Sequence, residues 1–264
     1  MARKRRCRRE AKRVYVGTPH KRIMAVGCSH GRFIDPVARQ AVIDFRKQFN
    51  PHECIHLGDF IDTASFRAGA AGTHDESEDI DDDLLHGLTF LQELRPNHLT
   101  LGNHDWRLWK FKDAHNAQVR KAARDCIASI EKTCKQLHCR IYPYLGVWGF
   151  VDPRSFVEIG GYRYAHGSFF GEHATRDYAE KFGNVVHAHT HRPAVATARR
   201  GDFAVAICPG ALMNAPSAEY ANTRAATLAW GCGVVKGEFM LGKRPKSFLS
   251  LAIMPRGADQ WKIF

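Results

Sequence analysis

Arg22-Ile23-Met24-Ala25-Val26-Gly27, followed at once by Cys28-Ser29-His30, is the stretch from which the fold can be read. Four apolar residues between a basic residue and a glycine describe a short buried strand. The same construction returns twice. Cys54-Ile55-His56-Leu57 ends in Gly58 before Asp59, and His98-Leu99-Thr100-Leu101 ends in Gly102 before Asn103. After the first run, Pro36 opens a helical pattern with Val37, Ala41, Val42, Phe45 and Phe49 on one face, stopped by Asn50-Pro51. Leu84, Leu85, Leu88, Leu91 and Leu94 repeat that spacing before Pro96. Strand, helix, strand, helix, strand predicts a sheet with crossover helices, in which ligands gather at the C-terminal ends of strands. All three strands end in a glycine followed by polar, metal-capable residues.

The chain then changes texture. Residues 63–83, rich in Gly, Ala and acids, predict a long surface loop. Seven acids in the nine positions 75–83 read as a solvated flap without a calcium-loop signature. Residues 105–137 read as mostly helical. Residues 156–159 and 162–165 flank Gly160-Gly161, a two-residue hairpin signal. Further short strands are expected at 185–188, 203–207, 226–230 and 248–252, with no internal repeat. Together these patterns predict one α/β domain over residues 21–264, made of two β-sheets packed face to face with helices outside.

Composition limits the function classes. A hydrophobic fraction of 44% and a charged fraction of 25% belong to an ordinary soluble globular protein. No apolar run approaches the roughly 20 residues a bilayer requires, so no membrane partner is expected. The basic N-terminus has no apolar segment behind it and is not a secretory signal. Eight cysteines without a C-x-x-C pair read as reduced thiols in a cytoplasmic protein. The net charge of +12 is unevenly placed, with ten Lys or Arg against Glu10 in residues 1–22. Residues 1–20 therefore read as a basic arm. Such an arm favours polyanions, nucleic acid above all, through counterion release; a solubilising tail without a partner is the other reading.

Five clusters carry chemistry: Cys28-Ser29-His30, Gly58-Asp59-Phe60-Ile61-Asp62, Gly102-Asn103-His104-Asp105, His166 after a strand, and His189-Thr190-His191. Singly each is ordinary, since Gly-Asp pairs are common turn chemistry. Together they bring carboxylate, amide and imidazole groups from separate loops to one edge of a sheet. These are donors that Mn²⁺, Fe²⁺ and Zn²⁺ accept.

In this order the clusters resemble the D-x-H, G-D-x-x-D, G-N-H-[DE], H, G-H-x-H series of the calcineurin-like metallophosphoesterases, over residues 23–193. Two positions depart: Cys28 stands where the family has Asp, and Ala188 where the last motif has Gly, a place that asks only for a small residue. The resemblance implies a four-layer αββα sandwich, two mixed β-sheets flanked by helices. It also implies hydrolysis of a phosphoester substrate by in-line attack of metal-bound hydroxide, without a covalent intermediate. His30, Asp59 and His191 would hold the first metal, with Cys28 in place of the carboxylate. Asp59 would bridge to a second metal completed by Asn103, His166 and His189. His104 matches the family's non-ligand histidine, which contacts the phosphate and protonates the leaving group, and Asp62 the acid that orients it. Two Mn²⁺ ions are the expected cofactors, with Fe²⁺ or Zn²⁺ suited to the Cys28 side because thiolate is the softer ligand. Such a pair, about 3.5–4 Å apart, clamps the attacking and leaving oxygens.

Other residues stay open. Arg107 reads equally as a phosphate contact or a helix-surface residue. His187, His56 and His74 read as structural. Trp106, Trp109 and Phe111 could stack bases, but helix packing is the simpler role. Three functions follow. The first is a phosphodiesterase acting on nucleic acid, favoured by the arm and by Thr63-Ala64 after Asp62 in place of the Asp-Arg-Gly continuation of the protein phosphatases. The second is a phosphatase of small phosphoesters or nucleotides. The third is a non-catalytic binding protein on a degenerate fold, motivated by Cys28 and opposed by His104 and Asp62. Oligomeric state is not readable.

Overall fold

Along β1 (Lys21–Val26) successive side chains enter two different cores. Ile23 and Ala25 pack toward a second sheet, whereas Met24 and Val26 pack beneath helices. A strand covered on both faces needs the unbroken apolar run that marks it in the sequence. The computed structural model describes residues 20–201, 203–218, 229–240, 246–255 and 257–263.

Asp35 accepts from the N–H groups of Val37 and Ala38 to cap α1 (Pro36–Phe49), and Asn50 ends that helix in a left-handed conformation. β2 (Glu53–His56), α2 (Ile80–Leu94), β3 (His98–Thr100), α3 (Trp106–Phe111), α4 (Ala117–Gln136) and β4 (Arg140–Tyr142) follow. The second half contributes β5 (Val157–Ile159), β6 (Tyr162–Ala165), α5 (Ala174–Phe182), β7 (Val185–His187), β8 (Ala194–Thr197) and β9 (Val205–Cys208). The chain then adds β10 (Gly233–Met240) and β11 (Lys246–Ile253).

The first sheet has the order β11-β10-β1-β2-β3-β4, and the second β5-β6-β7-β9-β8. Both are mixed. β1 through β4 run parallel while β10 and β11 join antiparallel; β6, β7 and β9 run parallel between antiparallel β5 and β8. Ile55, Leu57, Tyr164, Val186 and Ile207 fill the space between the sheets. α1 to α4 cover the outer face of the first sheet, and α5 covers the second through Tyr178 and Ala179. The α/β sandwich of two mixed sheets expected above is present.

Several local expectations are corrected. Residues 63–83 are not a plain surface loop. They hold 3-10 turns at Ala64–Phe66 and His74–Ser77, and α2 begins inside the acidic run, capped by Asp79. Asp75 and Asp83 are buried, so that run is not simply a solvated flap. β4, α5, β8 and β10 were not anticipated. The basic arm lies outside the described residues except for its last residue, His20; beyond it, Lys21 and Arg22 belong to β1, with the Arg22 guanidinium donating to the Asn50 carbonyl. Of the strand expected at 226–230, residues 226–228 lie outside the described residues, and Ala229 and Trp230 are not in a strand. Among the described residues no helix is long and apolar enough to cross a membrane.

Candidate metal centre

The loops after β1, β2 and β3 lie side by side because backbone pairing continues past the strands. Cys28 N–H donates to Gly58 O (2.9 Å), His30 N–H to Asp59 O (3.0 Å) and Gly31 N–H to Phe60 O (2.8 Å). Glycine permits the closest approach: a Cβ on Gly102 would collide with the Asp59 carboxylate. Five side chains with donor atoms, Cys28, His30, Asp59, His189 and His191, occupy left-handed backbone with φ between 50° and 71°. Non-glycine residues adopt this region at a cost of order 1–3 kcal/mol each and keep it where surrounding structure enforces it, often at functional sites.

Around Asp59 two buried carboxylates enforce it. Asp105 accepts from the N–H groups of Asp59 (2.7 Å), Phe60 (3.0 Å) and Ile61 (3.2 Å), and also of Gly102. Asp83, from α2, accepts from Asp62 N–H and Thr63 N–H, both at 2.9 Å. Five consecutive amides are thereby aimed inward at two carboxylates. Burial and the neighbouring Asp59 charge push Asp105 up to about 7, against the pull of its backbone donors.

On this frame two donor groups that share Asp59 form, beside a third set of His30, Asp62 and His104. Cys28, His30, Asp59 and His191 have ligand-capable atoms within 4.8 Å of one another, and so do Asp59, His166 and His189. Asn103 joins the second group, its Oδ1 3.1 Å from His166 Nε2. His166 Nδ1–H donates to Leu57 O (2.8 Å), which leaves a lone pair on Nε2 in the neutral ring. That lone pair faces Asp59 Oδ2 at 3.1 Å, Asn103 Oδ1 and His189 Nδ1 at 3.2 Å. Acceptors converging without a proton to share fit a cation. In the other group His30 Nδ1 is engaged by Asp62 (2.7 Å), and His30 Nε2 stands 3.1 Å from His191 Nε2. Among the described residues buried His191 Nδ1 has no hydrogen-bond partner.

Electrostatics agree with this chemistry. Burial and nearby imidazoles lower His189 to about 3 and hold His191 well below its ordinary value, keeping both rings neutral as ligation requires. Burial alone would raise Asp59, but His166 and His104 more than reverse it and hold the carboxyl well below the usual range. Burial, then the Asp59 charge, pushes the Cys28 thiol well up. Without a cation Cys28 is a thiol.

Asp62 Oδ1 lies 2.7 Å from His30 Nδ1 and 2.9 Å from His104 Nδ1, and the Asp62 carbonyl is also 2.9 Å from His104 Nδ1, so this one residue orients both rings. Arg107 donates to the carbonyls of Asp62 (2.8 Å) and Thr63 (3.2 Å) and lines the cleft, not the outer helix surface. That cleft, about 560 Å³, opens over Asp59, Asp62, Asn103, His104, His189 and His191. The structure thus brings together Cys28, His30, Asp59, Asp62, Asn103, His104, Arg107, His166, His189 and His191.

His187 points away beneath α5, bonded to Thr175 Oγ1. His56 is buried, accepting from Gly58 N–H and bonded to Ser29 Oγ at 3.1 Å. Trp106 and Trp109 stack on each other against the helical core. Ala188 is accommodated because Gly27 leaves room for its methyl. Asp83 and the cleft-wall residues Phe170, Arg192 and Trp230 escaped the sequence reading. Asp83 was hidden in the acidic run, and the other three carry no local signal.

The family model for calcineurin-like phosphoesterases matches residues 21–193. No curated protein matches the chain. Among solved structures, YfcE, a phosphoesterase from E. coli, is 15% identical with a TM-score of 0.38, over 89% of this chain and 97% of that one. A conserved uncharacterized protein from Streptococcus pneumoniae is 11% identical with a TM-score of 0.32, over 89% and 100%. Vacuolar Protein Sorting 29 from Cryptosporidium parvum is 11% identical with a TM-score of 0.34, over 90% and 99%.

Proposed function

Because the chain belongs to the calcineurin-like phosphoesterase family, we propose that it hydrolyses phosphodiesters with two divalent ions, Mn²⁺ foremost. Cys28, His30, Asp59 and His191 would hold one ion and Asp59, Asn103, His166 and His189 the other; when bound, such a pair polarises the phosphoryl oxygens and acidifies water. The observation that carries this reading is the membership of Asp59 in both donor groups. A shared carboxylate is the simplest way to hold two cations close together. The neutral Asn103 amide adds no charge, so the loaded centre stays cationic toward a phosphate.

The chain's own residues supply the rest. The Asp62 carbonyl, with its carboxylate beside it, holds His104 Nδ1 as a donor, so a proton the ring gains resides on Nε2, from which it passes to the leaving oxygen. Arg107, anchored through its carbonyl contacts, binds a non-bridging oxygen. Arg67 is neutralised by Asp75 (2.5 Å) within the same cleft. That tempered positive charge suits the single charge of a diester better than the double charge of a monoester.

The test is a panel of a phosphomonoester, a phosphodiester, single-stranded DNA, duplex DNA and RNA, each with Mn²⁺, Fe²⁺ or Zn²⁺. Turnover fastest on diesters and abolished by chelation is expected. A protein that binds metal and turns over none of them would be a binding protein instead.

A further inference from the structure

We infer that the cleft wall formed by Phe170, Arg192 and Trp230 is a nucleoside-binding subsite, in which the two rings receive a base and Arg192 an anionic oxygen. This rests on the phosphodiesterase reading and names its substrate class. The cleft lining is of two kinds. Loops after β2 and β3 supply the carboxylates, His104 and Arg107, and beside His191 the lining continues through Thr190, Arg192, Phe170 and Trp230. At about 560 Å³ the cleft falls in the range of pockets that take nucleotide-sized ligands.

Phe170 is 78% exposed, an expensive position for a phenyl ring. It is not needed for packing, because Phe169 beside it stacks on Tyr178 at 4.4 Å and joins the core beneath α5. Nor is it loosely attached: Arg192 Nη2 donates to the Phe170 carbonyl at 3.0 Å, fixing the loop that carries the ring. Trp230 meets His191 edge-on at 4.2 Å between ring centroids. A flat group on that indole therefore lies one ring away from a proposed metal donor, which is where the ester of a reacting phosphate would hang.

Charge points the same way. Among the described residues no carboxylate pairs with Arg192, in contrast to Arg67, which is held by Asp75. An uncompensated guanidinium beside an exposed phenyl ring and a half-buried indole that lines the cleft recognises an aromatic group joined to an anion. Stacking of this kind is tolerant of base identity, so the subsite should distinguish nucleosides from non-nucleosides and not one base from another.

The experiment compares kcat/KM, with Mn²⁺, for methyl p-nitrophenyl phosphate and thymidine 5′-(p-nitrophenyl phosphate), alongside metal-free titration with AMP followed by tryptophan fluorescence and calorimetry. Wild type should prefer the thymidine ester. Phe170→Ala and Phe170→Leu should each lower the preference ratio and AMP affinity about tenfold, the order of one stacked base, whereas Phe170→Tyr should keep both. Arg192→Gln should weaken AMP more than thymidine. An unchanged ratio and unchanged AMP affinity in Phe170→Ala would overturn the subsite. If wild type cleaves neither ester, the hydrolase reading fails alone, and AMP affinity decides the subsite by itself.

Discussion

The donor group around Cys28 and the donor group around Asn103 share the Asp59 carboxylate and differ in softness, charge and access. Cys28, His30, Asp59 and His191 are all buried, with Asp59 and His191 bordering the cleft floor, whereas the second group adds the half-buried Asn103 and His189 to the cleft. The first includes a thiol that burial and the Asp59 charge keep protonated until a cation arrives; the second has a neutral amide in the matching place. A softer, more buried site beside a harder one should hold two ions with unequal affinity. The soft thiol should make the Cys28 side the weaker of the two for Mn²⁺.

Replacing His104 gives the largest expected effect that leaves both groups loaded. His104→Ala should lower kcat by roughly 10²–10⁴-fold, the worth of a positioned proton donor, with metal content by elemental analysis unchanged. Lost metal would make His104 a donor and break the division into two groups. A smaller effect should come from Asp83, whose carboxylate takes two amides beside the His30 partner Asp62. Asp83→Ala strands those amides at about 1–3 kcal/mol each, read as a lower denaturation midpoint, and should loosen metal on the Cys28 side first. Equal loosening on both sides would show that Asp83 braces the whole loop and not one group.

Acid should act through histidines outside either group. Burial lowers His56 to about 3 and His187 to about 4, while an unfolded histidine titrates near 6.5. Between those values the unfolded chain binds protons that the folded chain refuses. The contribution of these two rings should therefore be level above about pH 6.5 and fall as pH drops toward 4, by on the order of 3 kcal/mol for His187, against the opposite trend from Asp105, whose raised pKa favours the fold as it takes up its proton. Urea melts at pH 7, 6 and 5 measure the slope, which His187→Gln should reduce in both apo and Mn²⁺-loaded protein. A slope that metal alone removes would assign the acid sensitivity to the donor groups.

Local signals made the front half of the first sheet readable. β1, β2 and β3 each end near a glycine, and α1 carries its start in Asp35-Pro36 and its stop in Asn50. The donor residues were readable too, because short motifs at strand ends survive without knowledge of the fold. What stayed hidden depends on distant partners. β10 is inserted between β1 and β11 from some two hundred residues downstream of β1. Its Gly237 runs against the Phe248 backbone, where a side chain would collide; locally, that glycine reads as a break. Asp83 is one acid among seven until α2 turns it beneath residues 62 and 63. The left-handed conformations of Cys28, His30, Asp59, His189 and His191 fall on residues that carry no glycine-like signal, so tertiary contacts alone impose them.

The most direct measurement is calorimetric titration of Mn²⁺ into wild type, Cys28→Asp and Asp59→Asn, with electron paramagnetic resonance to detect coupling between neighbouring ions. Wild type should bind two coupled ions per chain with clearly different affinities. Cys28→Asp should bring the two affinities together by tightening the weaker site, and Asp59→Asn should lose both ions. Two equally tight Mn²⁺ ions in wild type and Cys28→Asp alike would place Cys28 outside the coordination shell, and two ions retained by Asp59→Asn would contradict the shared-carboxylate centre itself.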